Sequence, residues 1–219
     1  IESRHRAAGV QFHIGRAVKS INTVRFVTLD DGTEIASDVL VAGIGAVPET
    51  ALASTAGLTL SNGVAVNEIL QTSDPDIFAA GDCCSFPHPL YEHKRMRLES
   101  WRVAQAQGEH VARTMLGSKE PFNAVPWFWS DQYDLTLQIA GLPSEGTHSF
   151  ARILDQDSTI LFHLNDEGRL MGASGLGIGN RVARDIRLAE MLIAQSVSPD
   201  PQALEDPSVS LKSLLSSKS

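Results

Sequence analysis

A glycine and an aspartate, Gly81-Asp82, close a short apolar run of Ile77, Phe78, Ala79 and Ala80. Consecutive apolar residues suit a strand buried on both faces. A glycine at the carboxyl end of such a strand admits another backbone or a ligand. The aspartate places a charged acceptor where open α/β sheets hold their ligands. The same residues also read as an ordinary strand and turn with a solvated carboxylate, entered through the corner Asp74-Pro75-Asp76, and spacing alone leaves both readings open. A second candidate is Ser100, a suitable N-cap for a helix whose first turn offers unpaired N–H groups and about half a positive charge. Ala104, Gly108, Val111, Ala112, Met115 and Leu116 trace its expected apolar face and Gly117 ends it; a plain amphipathic helix explains the pattern equally well. The third is aromatic: Trp127-Phe128-Trp129, with Tyr133 close behind, is a concentration in a chain with only 6% aromatics. A core plug at a domain junction accounts for Trp127 and Phe128.

Charge supplies a further candidate. His93-Lys94-Arg95 and Arg97 cluster in a stretch, residues 85–97, that reads as irregular because of Pro87 and Pro89. Such runs are ordinarily solvated loop; the sharper reading is a docking patch for an acidic carrier, since complementary fields steer encounter. The cysteines, Cys83 and Cys84, are adjacent, which suits neither a structural disulfide nor a metal pattern. They read as free buried thiols with no redox role, in a reducing, cytoplasmic setting.

The elements that must position these residues follow from periodicity and punctuation. Residues 1–8 read as the end of a helix with Gly9 at its C-terminal cap. Residues 10–14, 24–29 and 34–36 read as a small antiparallel meander, with Asp30-Asp31-Gly32-Thr33 as hairpin turn. Residues 38–42 read as a second buried strand. Its sequel, Gly43-Ile44-Gly45-Ala46-Val47-Pro48, is not a dinucleotide fingerprint: Pro48 replaces the third glycine, and no long helix follows to receive a pyrophosphate. A short helix over residues 50–56 and a strand over 63–67 lead back to the Gly81-Asp82 run. Beyond residue 135 the pattern turns α+β. Strands are expected at 135–140, 149–154, 159–164 and 170–174, with Asp166-Glu167-Gly168-Arg169 as a turn. A helix follows over 180–194, with Val182, Ile186, Ala189 and Ile193 on one face. Residues 216–219 read as a mobile tail.

The bulk numbers exclude some classes. A 219-residue chain with 42% apolar residues can bury a core in one or two domains. A formal charge of −8 argues against a nucleic-acid binder. The longest apolar runs, residues 39–42 and 77–80, are far short of a membrane span, and no apolar segment follows the basic first residues as a signal peptide requires.

Three motifs now carry a resemblance. Thr72-x-x-x-x-Ile77-x-Ala79-x-Gly81-Asp82 resembles the second FAD fingerprint of the flavin-dependent pyridine-nucleotide reductases. Arg97-x-Glu99-Ser100-Trp101, followed by a helix, and Pro126-Trp127-Phe128-Trp129-Ser130-Asp131-Gln132-Tyr133 are similar to the ferredoxin-reductase subfamily. The terminal Leu204-Glu205-Asp206-Pro207 is similar as well. The resemblance implies an FAD/NAD(P)-binding Rossmann-like three-layer α/β domain, present in part, followed by an α+β reductase C-terminal domain. Residues 1–36 would be the tail of the NAD(P) domain, 37–121 the end of the FAD domain and 122–219 the C-terminal domain. It implies that Asp82, beside Gly81, hydrogen-bonds a ribityl hydroxyl. The helix start at Ser100 and Trp101 would face the flavin pyrimidine, and Trp129 would lie near the flavin and the electron exit. It implies NADH as donor and a [2Fe–2S] ferredoxin of an oxygenase system as acceptor, docking near Lys94, Arg95 and Arg97, with a homodimer as a further expectation. Both Gly-x-Gly-x-x-Gly sites of the family are missing, so the sequence reads as the C-terminal piece of such an enzyme, binding FAD weakly and not competent alone. Two alternatives share the motifs: a non-catalytic ferredoxin- or subunit-interaction module, and a rubredoxin reductase.

Overall fold

In a computed structural model the chain is described at residues 1–22 and 25–215. It divides into two compact units, residues 1–47 and 48–219.

The first unit opens with a short helix, α1 (Glu2–Ala7), ended by Ala8 and Gly9. A meander follows of β1 (Val18–Asn22), β2 (Phe26–Leu29) and β3 (Glu34–Ala36), antiparallel in the order β1-β2-β3. The turn between β2 and β3 is made as its sequence requires. Gly32 N–H bonds the Leu29 carbonyl, and Asp31 Oδ1 accepts from Thr33 N–H at 3.0 Å. One strand is displaced from expectation. Residues 10–14 join no ladder among the described residues, and β1 forms instead at Val18–Asn22, where the ladder to β2 is available. Val24, expected to open β2, lies outside the described residues. Residues 38–42 are not a buried strand either. They make no ladder among the described residues, and Val39 and Val41 stand 74% and 85% exposed. An apolar run becomes a buried strand only where neighbouring strands supply hydrogen bonds and cover.

The second unit begins with α2 (Ala51–Thr55) and a three-stranded sheet of β4 (Val64–Ala65), β5 (Cys84–His88) and β6 (Lys94–Arg97). β4 and β5 are parallel; β5 and β6 form an antiparallel hairpin. This corrects two expectations. Residues 85–97 are a regular hairpin, because Pro87, opposite Arg95, lies where the middle strand β5 has run past its short partner β4, which pairs only with Cys84 and Ser85, and Pro89 opens a single 3₁₀ turn. The apolar run at 77–80 is not the strand: it makes a single bridge, Gln71 to Phe78, and the ladder begins only after Gly81-Asp82. The corner before it is as expected, with Asp76 N–H donating to Asp74 Oδ1 at 2.9 Å. A core of Val66, Leu70, Cys84, Phe86, Val103, Val111 and Phe122 joins this sheet to helix α3 (Trp101–Met115).

The remainder is a five-stranded antiparallel sheet of β7 (Trp127–Gln132), β8 (Leu135–Gly141), β9 (His148–Asp155), β10 (Ser158–Leu164) and β11 (Leu170–Ile178), ordered β7-β8-β11-β10-β9. Helix α4 (Ala183–Ala194) packs on β8 and β11. Val182, Ile186, Ala189 and Ile193 are all buried, as their spacing predicts. β11 runs four residues past its expected end. Gly175 there meets Ile186 so closely that a Cβ would come within 2.9 Å of it. The glycine ends no strand; it lets the helix lie down. Helices α5 (Pro201–Glu205) and α6 (Leu211–Leu214) close the core through Leu204 and Leu211. The expected mobile tail, residues 216–219, lies outside the described residues.

Candidate functional site

Helix α3 is the element around which the candidate residues gather. Its N-cap, Ser100, has extended backbone, yet its hydroxyl does not cap the helix. It donates instead to the Trp127 carbonyl at 2.8 Å, fastening the helix start to β7. The first-turn N–H groups are therefore left to solvent or to a ligand, and a 15-residue helix concentrates about half a positive charge there. No acidic residue offsets it in the first turn.

The helix buries a different face from the expected one. Val103, Gln107, His110, Val111 and Thr114 point inward, while Met115 and Leu116 are 62% and 89% exposed. The stripe is rotated by about one residue because the inward positions are largely polar, and a hydrophobicity pattern discards them. Gln107 has a specific task. Its Oε1 accepts the Gly81 N–H at 2.7 Å. Gly81 has φ +82° and lies 3.7 Å, measured from an ideal Cβ, from the Ala104 methyl, so the turn runs beside the first two turns of α3. Arg97 donates to the Asp82 carbonyl at 3.0 Å and is itself held by Glu99 at 2.5 Å. With its backbone pinned this way, Asp82 presents an exposed carboxylate that has no partner among the described residues. Gln107 is not among the sequence-derived candidates, and Arg97 and Glu99 enter there only through the basic cluster and the helix-start motif, not as supports for Asp82. The signal for Gln107 was its seven-residue spacing from Ser100, which puts both on one helical face.

Trp101, Trp127 and Trp129, the chain's three tryptophans, line one cleft of about 420 Å³ with Arg102, Asp131, Thr136, Gln138 and Asn180. Trp127 and Trp129 share a face of β7, two residues apart, with ring centroids 5.4 Å apart. Trp101 is 72% exposed at the helix start. Phe128, expected in the core with Trp127, is on the opposite face of β7 and 47% exposed; Trp127 alone is packed against the core.

The basic cluster is engaged internally. Arg95 donates to the Ser85 and Val66 carbonyls, His93 meets Glu68 at 2.9 Å and Lys94 meets Glu145 at 2.6 Å. Arg97 is half-buried and turned to Asp82, whereas His93, Lys94 and Arg95 are exposed. Of the thiols, Cys84 is buried and desolvation pushes its pKa up to about 12, so it stays protonated; Cys83 is half-buried. His88 is fully buried, its Nε2 3.1 Å from the Ala124 carbonyl while Nδ1 accepts from Leu90 N–H, and burial pulls its pKa down to about 4. No helix among the described residues is long and apolar enough to cross a membrane.

Comparison with known proteins gives this geometry its context. Residues 1–108 match the pyridine nucleotide-disulphide oxidoreductase family and residues 127–215 the reductase C-terminal family. The ferredoxin–NAD(+) reductase component of the anthranilate 1,2-dioxygenase system of Burkholderia cepacia is 37% identical over 96% of the chain and 52% of its own length. Putidaredoxin reductase of Pseudomonas putida is 36% identical over 98% and 51%. The crystal structure of a covalent putidaredoxin reductase–putidaredoxin complex superposes with a TM-score of 0.89 at 34% identity, over 98% of this chain and 52% of that one. The chain thus spans about half the length of the relatives it matches. With the two family matches in order and the fold shared along nearly its whole length, the chain belongs to the pyridine nucleotide-disulphide oxidoreductases that carry a reductase C-terminal domain.

Proposed function

We propose that the chain supplies the flavin-facing and C-terminal parts of an FAD-dependent reductase that passes electrons from NADH to a [2Fe–2S] ferredoxin of an oxygenase system, in a reducing, cytoplasmic setting. One observation carries the reading: the Gly81-Asp82 turn, the uncapped start of α3 and the tryptophan cleft converge on a single helix end. The relatives named above, reductases of ferredoxin-dependent systems, support it.

The residues fit part of FAD. Asp82 offers an unpartnered carboxylate to a ribityl hydroxyl, the α3 N-terminus offers N–H groups to the pyrimidine edge, and Trp101 and Trp129 offer aromatic walls. They do not fit its pyrophosphate. Among the described residues no glycine-rich loop opens a long helix; Gly43-Ile44-Gly45 leads only to the five-residue α2. When bound, the flavin would accept a two-electron hydride and release electrons singly. The chain's own part is positioning and electrostatics. Gln107 and Arg97 fix the turn that presents Asp82, Ser100 fixes the helix start against β7, and the helix end stabilises negative charge developing at the pyrimidine. No general acid or nucleophilic thiol is needed. Docking of the ferredoxin would use Lys94 and Arg95 as its exposed cations, with Arg97 as a support for the Asp82 backbone.

The test is flavin-fluorescence quenching by the 219-residue chain. Riboflavin and FAD should both bind, and Asp82→Ala should weaken both about tenfold, the loss of one charge-assisted hydrogen bond. Unchanged affinity in the variant would remove Asp82 from the site, and a wild-type chain that quenches neither flavin would overturn the reading.

A further inference from the structure

Outside the flavin-facing residues, one charged cluster is built with more care than a surface pair. Glu190 on α4 is 8% exposed and is the one buried carboxylate among the described residues. It receives Arg102, from the first turn of α3, through two contacts, Nη2 to Oε1 at 2.7 Å and Nη1 to Oε2 at 3.4 Å. Arg187, one turn earlier on α4, meets its Oε2 at 2.7 Å. Two guanidiniums on one carboxylate leave the cluster with a net positive charge. The Arg102 guanidinium also stands over the Trp127 ring, 5.0 Å from its centroid. Its side chain lines the tryptophan cleft on one side and, on the other, a second cavity of about 410 Å³ bounded by Glu190 and Arg187. Arg102 is the partition between the two.

An arginine placed there without a carboxylate would swing into solvent or into the cleft, since a single cation–π contact at a half-exposed site is too weak to hold it. The fork-shaped, two-point contact with a buried carboxylate fixes both its position and its plane. We infer that Glu190 is a positioning residue for the tryptophan cleft: through Arg102 it holds a guanidinium over the Trp127 ring and so sets the wall and the positive charge of the pocket beside the α3 N-terminus. The consequence for flavin rests on the proposed function, whereas the consequence for Trp127 does not. A fixed positive charge at that wall favours the reduced, negatively charged ring over the oxidised one, in the same direction as the helix end.

Because the chain's only tryptophans, Trp101, Trp127 and Trp129, all line this cleft, intrinsic fluorescence reports on it directly. Glu190→Gln, Arg102→Gln, the double variant and Arg187→Gln should be compared by tryptophan emission and acrylamide quenching, and by the affinity for oxidised and for chemically reduced riboflavin. Expected are a shifted emission and about twofold stronger quenching in Glu190→Gln and in Arg102→Gln, with no further change in the double variant, because both act through one contact. Arg187→Gln, at an exposed residue, should leave the emission alone. Preference for reduced riboflavin should fall roughly fivefold in Arg102→Gln and in the double variant, which remove the charge itself. Additive effects in the double variant, or a lowered melting temperature with unchanged emission, would reduce Glu190 to a structural ion pair and overturn the inference. A wild-type chain that binds no flavin but shows the coupled fluorescence change would overturn the proposed function and leave the positioning role of Glu190 standing.

Discussion

At the scale of residues, Asp82 is defined by what holds it. Its backbone is gripped by Arg97, and Gly81 beside it by Gln107, so the carboxylate is aimed without being used. Gln107→Leu removes the acceptor of a part-buried N–H. The expected result is a loss of roughly 1–2 kcal/mol in urea unfolding, together with weaker riboflavin binding; a stability change alone would confine Gln107 to the fold. His88 makes a prediction about pH. Its neutral tautomer is fixed, since Nδ1 accepts from Leu90 N–H and a proton there would face another donor. Unfolded, the group titrates near its ordinary 6.5; folded, near 4. Between these values the unfolded chain holds the extra proton. The contribution of His88 is therefore fully present above pH 6.5, shrinks as the pH falls and is gone below about 4, a change on the order of 3 kcal/mol. The difference in unfolding free energy between pH 7 and 4.5 should be smaller in His88→Phe than in the wild type.

At the scale of elements, α3 joins two cores and one site. It packs inward through Val103 and Val111, and Ser100 and Arg102 tie it to β7 and α4. A second element depends on one side chain. Arg152 on β9 is 3% exposed, and its guanidinium donates to the Leu204, Pro207 and Val209 carbonyls of the α5–α6 segment. The Leu204 carbonyl is in the last turn of α5 and the other two lie in the connection after it, where intrahelical donors are lacking. Arg152→Leu should cost roughly 3 kcal/mol by leaving buried acceptors unpaired. It should also open residues 204–215 to proteolysis while β8, β10 and β11 stay protected in hydrogen exchange. Equal protection of the terminal segment in the variant would show that Leu204 and Leu211 hold it unaided.

At the scale of the whole molecule, the two units differ in what they bury. Among the described residues of 1–47 only Val27 and Leu29 are buried, whereas the second unit contains both hydrophobic clusters. Local stability follows buried apolar contacts. Amides of residues 1–47 should exchange within seconds to minutes, on the order of 10²-fold or more faster than those of β10 and β11, as hydrogen-exchange mass spectrometry would show. The flavin prediction also belongs here. With no pyrophosphate cradle among the described residues, FAD and riboflavin should bind this chain within about threefold of each other. A much tighter FAD would mean that the pyrophosphate finds donors elsewhere on the chain.

The sequence by itself determined the punctuation and the local patterns. The Gly32 and Gly168 turns, the strands at 135–164 and the apolar face of α4 all follow from spacing and turn chemistry that act over a few residues. The types of residue around the candidate site were legible too, because Gly-Asp after an apolar run, a serine at a helix start and clustered tryptophans carry their chemistry in their side chains. Tertiary structure decided what needs a partner distant in the chain. Residues 38–42 and 77–80 have the composition of buried strands, but strand pairing is a property of neighbours, and among the described residues they have no full ladder. The buried face of α3 is polar because Gln107 must meet Gly81, a contact across 26 residues that no local pattern contains. The strand expected at 170–174 runs on to Ile178 because β8 is there to pair with it. The His93–Arg97 stretch reads as free charge until Glu68, Glu145 and the Asp82 carbonyl are brought to it. Hydrophobic spacing records which residues avoid water; it does not record which polar groups will satisfy one another once the chain has closed.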